Sequence, residues 1–148
     1  MDTLNIFTGE KRIPIVRDGV PAGEVVFNPS DVLFAEKFYR LLGEFQAKFT
    51  QYRMQSRELE KDIRTNGLGN DIPANLGERI ALVKEACEYV YQQIDTLFGE
   101  NTSRIVFGGA LSLDAIQQFF SGVTPLIQKA RVEKIQKYTN KRPKRDGK

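Results

Sequence analysis

A chain of 148 residues with 41% hydrophobic content suits one compact domain, and no apolar run approaches the length that spans a bilayer. One cysteine, Cys87, and no histidine exclude an intrachain disulfide, every Ser-His or Cys-His catalytic arrangement, and all histidine-containing zinc sites. Charge is unevenly placed: residues 129–148 hold nine basic and two acidic side chains, so a total of +3 less their +7 leaves −4 on residues 1–128.

The opening MDTLNIFTGEKR carries an acidic residue at Asp2 and no apolar core of signal-peptide length, which predicts a cytosolic protein. Residues 4–27 read as a small β unit. LNIF is short and apolar, TGEK is a turn, RIPIVR alternates in part, and Asp18-Gly19 marks a hairpin turn into EVVF. Pro14 lacks a donor N–H, which places its strand at an edge or pairs it only in part.

Asn28-Pro29-Ser30-Asp31 then predicts a helix start, with Asn28 as cap, Pro29 at the first helical position and a staple between Phe27 and Val32. The stripe Phe34, Phe38, Leu41, Leu42, Phe45, Phe49, Tyr52 defines one helical face and continues weakly to Leu59 and Ile63, as one long helix or two in line. A loop follows over 65–70. Asn75 with Glu78 resembles a capping box for a second helix, whose apolar face runs from Leu76 through Ile80, Val83, Cys87, Val90 and Ile94 to Phe98. Gly99 ends it in a left-handed conformation. A short piece around 104–107, a helix from Ser112 or Asp114 through Phe120, and a last helix started by Thr124-Pro125 complete the pattern. After Tyr138 the composition TNKRPKRDGK predicts a disordered basic tail. The reading is therefore a mostly α (α+β) fold: one domain over residues 1–138, its β-hairpin unit at about 4–27, and a tail over 139–148.

The glycine-dense stretch LFGENTSRIVFGG, residues 97–109, invites a phosphate-loop reading. Neither Gly-x-x-x-x-Gly-Lys-Ser/Thr nor Gly-x-Gly-x-x-Gly is present, so these glycines read as punctuation between helices. The carboxylates Glu58 and Glu60, and Glu85 and Glu88, lie among Arg57, Lys61 and Lys84 at ordinary helix-pairing distances. No catalytic constellation, metal site or cofactor loop is evident, and the expectation is a protein that is not an enzyme and needs no cofactor. The tail residues Lys141, Arg142, Lys144 and Arg145 offer a nonspecific phosphate contact, but Tyr138 is the one aromatic nearby, and a solubilising end is favoured over nucleic-acid binding. Ten phenylalanines, no tryptophan and the adjacent Phe119-Phe120 pair suggest apolar surface beyond a small core, covered by a second copy or a client.

The order of parts resembles the tail assembly chaperones of long-tailed bacteriophages and prophages of Gram-positive bacteria. The likeness runs over residues 4–138 and is most specific over 97–127, where a helix-ending Phe-Gly, a second Phe-Gly, a Leu-Asp, a Phe pair and a Thr-Pro follow in order. The resemblance implies an ATP-independent chaperone that keeps the tape measure protein soluble and helps recruit tail tube subunits in the host bacterial cytoplasm. It also implies absence from the mature virion, and a longer frameshifted form that would diverge near Asn140. Phe119, Phe120, Leu126 and Ile127 are the candidates for client or partner contact, with a core role as the alternative for each. Two other readings stay open: a tail structural or connector protein, and a small nucleic-acid-binding protein that uses the basic tail.

Overall fold

A computed structural model describes residues 2–65, 67 and 72–139, with side chains of the last helix as far as Glu133. The architecture is mostly helical with an N-terminal hairpin: β1 (Lys11–Arg17), β2 (Val20–Phe27), α1 (Val32–Glu60), α2 (Leu76–Phe98), α3 (Thr102–Phe107) and α4 (Leu113–Thr139). The predicted basic tail from residue 140 lies outside the described residues.

The hairpin turns at Asp18-Gly19, where φ is 52° and 81°. Positive φ at both central residues is the type I′ signature, whose twist matches that of the strands. Counting from this turn, Arg17 and Val20 form a hydrogen-bonded pair, which turns Arg12 and Pro14 of β1 outward. Pro14 therefore costs the ladder nothing and blunts a free edge. The register slips between Ile15 and Val16, and beyond the slip Ile13 pairs with Val25 on the face that meets the helices.

LNIF does not form a strand. Residues 2–10 run outside any sheet, with Leu4, Ile6 and Phe7 exposed. Among the described residues no partner strand faces them, and a lone extended segment has no ladder to join.

Helix α1 starts one turn later than the sequence suggests. Residues Asn28 to Asp31 close a turn, with the Asp31 N–H bonded to the Asn28 carbonyl at 3.1 Å. Asp31 is the cap, its Oδ1 accepting from the Leu33 N–H at 2.9 Å, while Asn28 Oδ1 accepts from Ser30. The staple is absent as well: Val32 is exposed, and Phe27 packs on Phe34 and Phe98 instead. From there α1 is a single helix of 29 residues, about 43 Å long, and ends before Ile63.

The largest difference is α4. The sequence suggests two helices broken at Thr124-Pro125, but one helix runs through with Pro125 inside it. The physical reason is phase: Ile116, Phe119, Phe120, Val123, Ile127 and Ala130 keep one buried stripe across the proline. Burial of that stripe outweighs the hydrogen bond that Pro125 cannot make, a cost of about 3 kcal/mol.

The core is aromatic. Phe27, Phe34, Phe98 and Phe119 form a chain of rings with successive centroids 5.7, 5.3 and 5.2 Å apart, leading from the hairpin through α1 and α2 to α4. Phe120 stacks on Phe45 of α1 at 5.0 Å. Edge-to-face and offset rings at these distances add to area burial.

Candidate functional site

The stretch 97–109 builds the junction between α2, α3 and α4. Gly99 stops α2 with φ 117° and ψ 155°, a glycine-favouring region but not the left-handed helix expected for it; Asn101, at φ 72° and ψ 1°, takes that conformation instead. The start of α3 is capped from α2. Asp95 accepts from the Ser103 N–H and from Ser103 Oγ, each at 2.7 Å. The buried Thr102 donates its hydroxyl to the Gly99 carbonyl at 2.8 Å.

At the other end of α3 the Arg17 guanidinium donates to the Ile105 carbonyl, and more distantly to that of Arg104 at 3.4 Å. Tyr91 of α2 stacks flat on Phe107 with centroids 4.4 Å apart. Its hydroxyl donates to the Ala110 carbonyl at 2.6 Å and accepts from the Ser112 N–H at 3.2 Å, and burial pushes its pKa up. Ser112 in turn caps α4, its Oγ accepting from the Ala115 N–H. The junction is thus held by side chains on elements before and after it, Asp95, Tyr91, Arg17 and Ser112.

A second polar clamp holds the far end of the α1–α2 pair. Asn75 is not a capping box member: its buried amide donates to the Leu59 carbonyl at 2.7 Å and accepts from Arg79 Nε at 2.8 Å. Arg79 also reaches the Leu59 carbonyl at 3.2 Å, so one carbonyl in the last turn of α1 is bonded from the start of α2.

The four residues proposed for partner contact fall mainly in the core. Phe119, Phe120 and Ile127 are buried among the rings and aliphatics of α1, α2 and the hairpin. Most of their surface is taken up by intramolecular packing, because they lie on the inward stripe that keeps α4 continuous, and only an edge of Phe119 and of Phe120 reaches a surface groove. Leu126 is half-buried and lines a groove between β1 and α4. Lys141, Arg142, Lys144 and Arg145 lie outside the described residues.

Three mainly apolar grooves stand out on the surface of the described residues. One of about 560 Å³ lies between α1 and α4, floored by Leu42, Phe45, Phe49 and Phe120 and rimmed by Gln46 and Gln117. Another, of about 580 Å³, runs between β1 and α4 past Ile13, Ile15, Val123 and Leu126. The third, about 400 Å³, lies between α1 and α2 under the α3–α4 loop. Tyr52, Ile80, Val83 and Leu111 line it, with Arg79 and Lys84 at its edge. Ile80 is 58% exposed and Leu111 40%, so this groove presents aliphatic side chains directly to solvent.

Reactive groups are held down rather than activated. Cys87 is fully buried, and burial pushes its thiol pKa up. Among the described residues no three His, Cys, Asp or Glu side chains gather as metal ligands, and no helix is long and apolar enough to cross a membrane.

Sequence reasoning missed Asp95 and Arg17 as organising residues, and it placed Asn75 at the start of α2 with Glu78 as its partner in place of Leu59 and Arg79. Asp95 left one clue. A carboxylate in the last turn of a helix opposes the dipole there, so another partner had to hold it.

Neither a curated protein nor a solved structure matches the chain. Residues 22–148 match the model of a family of unknown function, DUF6673, and the chain belongs to that family.

Proposed function

We propose that the protein is a tail assembly chaperone, a non-enzymatic binding protein that holds the tape measure protein soluble in the host cytoplasm and helps bring tail tube subunits to it. The reading rests first on the order of residues over 97–127, which resembles that family. The single structural observation that supports it is the α1–α2 groove. Ile80 and Leu111 are aliphatic side chains left in solvent by a folded domain, beside Tyr52 and Val83. Exposed apolar side chains gathered in a groove with a charged edge suit the apolar face of an amphipathic helix. A helical, apolar client offers such faces, and binding without nucleotide turnover needs no catalytic group.

The client contact therefore moves from the buried α4 residues to Tyr52, Ile80, Val83 and Leu111. The experiment is the protein composition of purified particles beside that of the infected-cell lysate. Presence in the lysate bound to the tape measure protein, with absence from particles, is the expected result. A stoichiometric copy in the particle would make the protein a structural component instead.

A further inference from the structure

We propose that the α1–α2 groove takes a single amphipathic helix, lying in line with α4, whose apolar stripe is edged by acidic side chains. Its place is that of the client reading, on which the proposal rests; its shape and charge come from the fold.

Helix α2 carries one apolar stripe at steps of three and four, from Leu76 and Ile80 through Val83 and Cys87 to Phe98. The far half of the stripe is covered: Cys87, Val90 and Ile94 are buried, and Phe98 meets Phe119 of α4 at 5.2 Å. The near half is bare, with Leu76 40% and Ile80 58% exposed. Helix α1 divides in the same way. Phe38 and Phe45 lie against Phe120 of α4 at 6.0 and 5.0 Å, whereas Tyr52, Ser56 and Leu59, further along the same stripe, are half-buried. The α1–α2 pair is thus one long seat, and α4 fills part of it. Helix α4 starts at Leu113, and among the described residues Leu111 is the one side chain from outside the pair that lines the open part.

The filled part shows what the open part accepts. The buried stripe of α4 opens with Ile116, Phe119, Phe120 and Val123, the i, i+3, i+4, i+7 spacing of a helix laid along a groove. From Val83 to Leu76 the open part runs about 10 Å, two turns of helix, which is the reach of one such set. An extended segment would set its backbone N–H and C=O groups against an aliphatic floor, whereas a helix satisfies its own. Charge narrows the partner further. The two charged residues that line the groove, Arg79 and Lys84, are both basic. Neither forms an ion pair among the described residues. Arg79 is fixed in place by Asn75 and the Leu59 carbonyl, and Lys84 is exposed. Acidic side chains beside the partner's stripe meet both, and basic ones are repelled.

The test is methyl NMR of the full chain with two capped helical peptides of about 18 residues, titrated to about 1 mM so that weak binding is read. Both peptides carry Leu at i, i+3, i+4 and i+7; one places Glu beside the stripe, the other Lys. The Glu peptide is expected to shift the Ile80, Val83 and Leu111 methyls and to bind at least ~5-fold tighter than the Lys peptide, by a margin that shrinks as salt is raised. Lys84→Glu, at an exposed position, is expected to lessen that preference, and Ile80→Ser to weaken both peptides. Four results overturn the proposal: no binding of either peptide, shifts confined to methyls outside the groove, a Lys peptide bound as tightly as the Glu peptide, or a preference that Lys84→Glu leaves unchanged. A tape measure protein made no more soluble by the chain would remove the client reading and leave the Glu-peptide preference standing. Loss of the preference alone would leave a client held by apolar contact.

Discussion

Arg17 lies across Gly108, with its Nε 2.9 Å from where a Cβ on that glycine would stand, and from there it reaches the carbonyls that end α3. This contact ties the hairpin to the helical junction and explains the second Phe-Gly of the sequence. Gly108 also has φ 67° and ψ −131°, which side chains avoid. Gly109, its neighbour, has nothing within 4 Å of the same position. Gly108→Ala is expected to lower stability by about 1–3 kcal/mol in urea unfolding, and Gly109→Ala to change it by less than about 0.5. Equal effects at the two sites would remove Arg17 from this role.

Asp95 caps a helix eight residues ahead of it, through both the backbone and the hydroxyl of Ser103. Asp95→Ala is expected to cost about 1–2 kcal/mol, and Asp95→Asn less, since one carbonyl oxygen can still accept. Amide exchange of the α3 residues should speed up before that of α2. If the α3 amides keep their protection in Asp95→Ala, the cap is not what orders α3.

The Asn75 amide is buried with both its ends bonded. Asn75→Ala leaves the Leu59 carbonyl and Arg79 to re-pair, with an expected loss of about 1–3 kcal/mol in denaturant unfolding. Asn75→Asp keeps the acceptor for Arg79 but sets a carboxylate against the Leu59 carbonyl, so it should be destabilising too. A neutral Asn75→Ala would show the α1–α2 pair to rest on apolar packing alone.

Asp62 accepts from Arg64 through both side chain and backbone, and that pairing lowers its pKa to about 2 from 3.8. A depressed carboxylate stabilises the folded state above its unfolded pKa and loses that contribution as pH falls through the folded one. The window is therefore about pH 4 down to about 2. A carbon-detected NMR titration should place the Asp62 midpoint near 2, returning toward 3.8 in Arg64→Ala. An ordinary midpoint in the wild type would contradict the pairing.

Much of the fold was legible because its signals are local. Asp18-Gly19 has no competing reading in a hairpin, and the 3.6-residue stripes of α1 and α2 are long enough to fix phase. What misled were strong local signals overruled at a distance. Pro125 has every mark of a helix start, yet Phe120, Val123 and Ile127 hold the helix together across it through contacts with α1 and α2. Asn28-Pro29 likewise looked like a cap but makes a turn, and Asp31 does the capping. The candidate site was less legible. A buried Phe120 and an exposed Ile80 both occupy apolar helical stripes, and periodicity alone does not say which stripe a neighbour covers.

The central claim, client binding by an exposed groove, is tested most directly by co-expression with the proposed client, a tape measure protein. The measurement is the fraction of that client in the soluble extract, for the wild type and for Ile80→Glu/Leu111→Glu, with circular dichroism of the variant as the control for folding. The account predicts that the wild type raises the soluble fraction several-fold and that the folded variant does not. A client no more soluble with the wild type than without it would contradict the chaperone reading; equal help from the variant would move the contact off the α1–α2 groove.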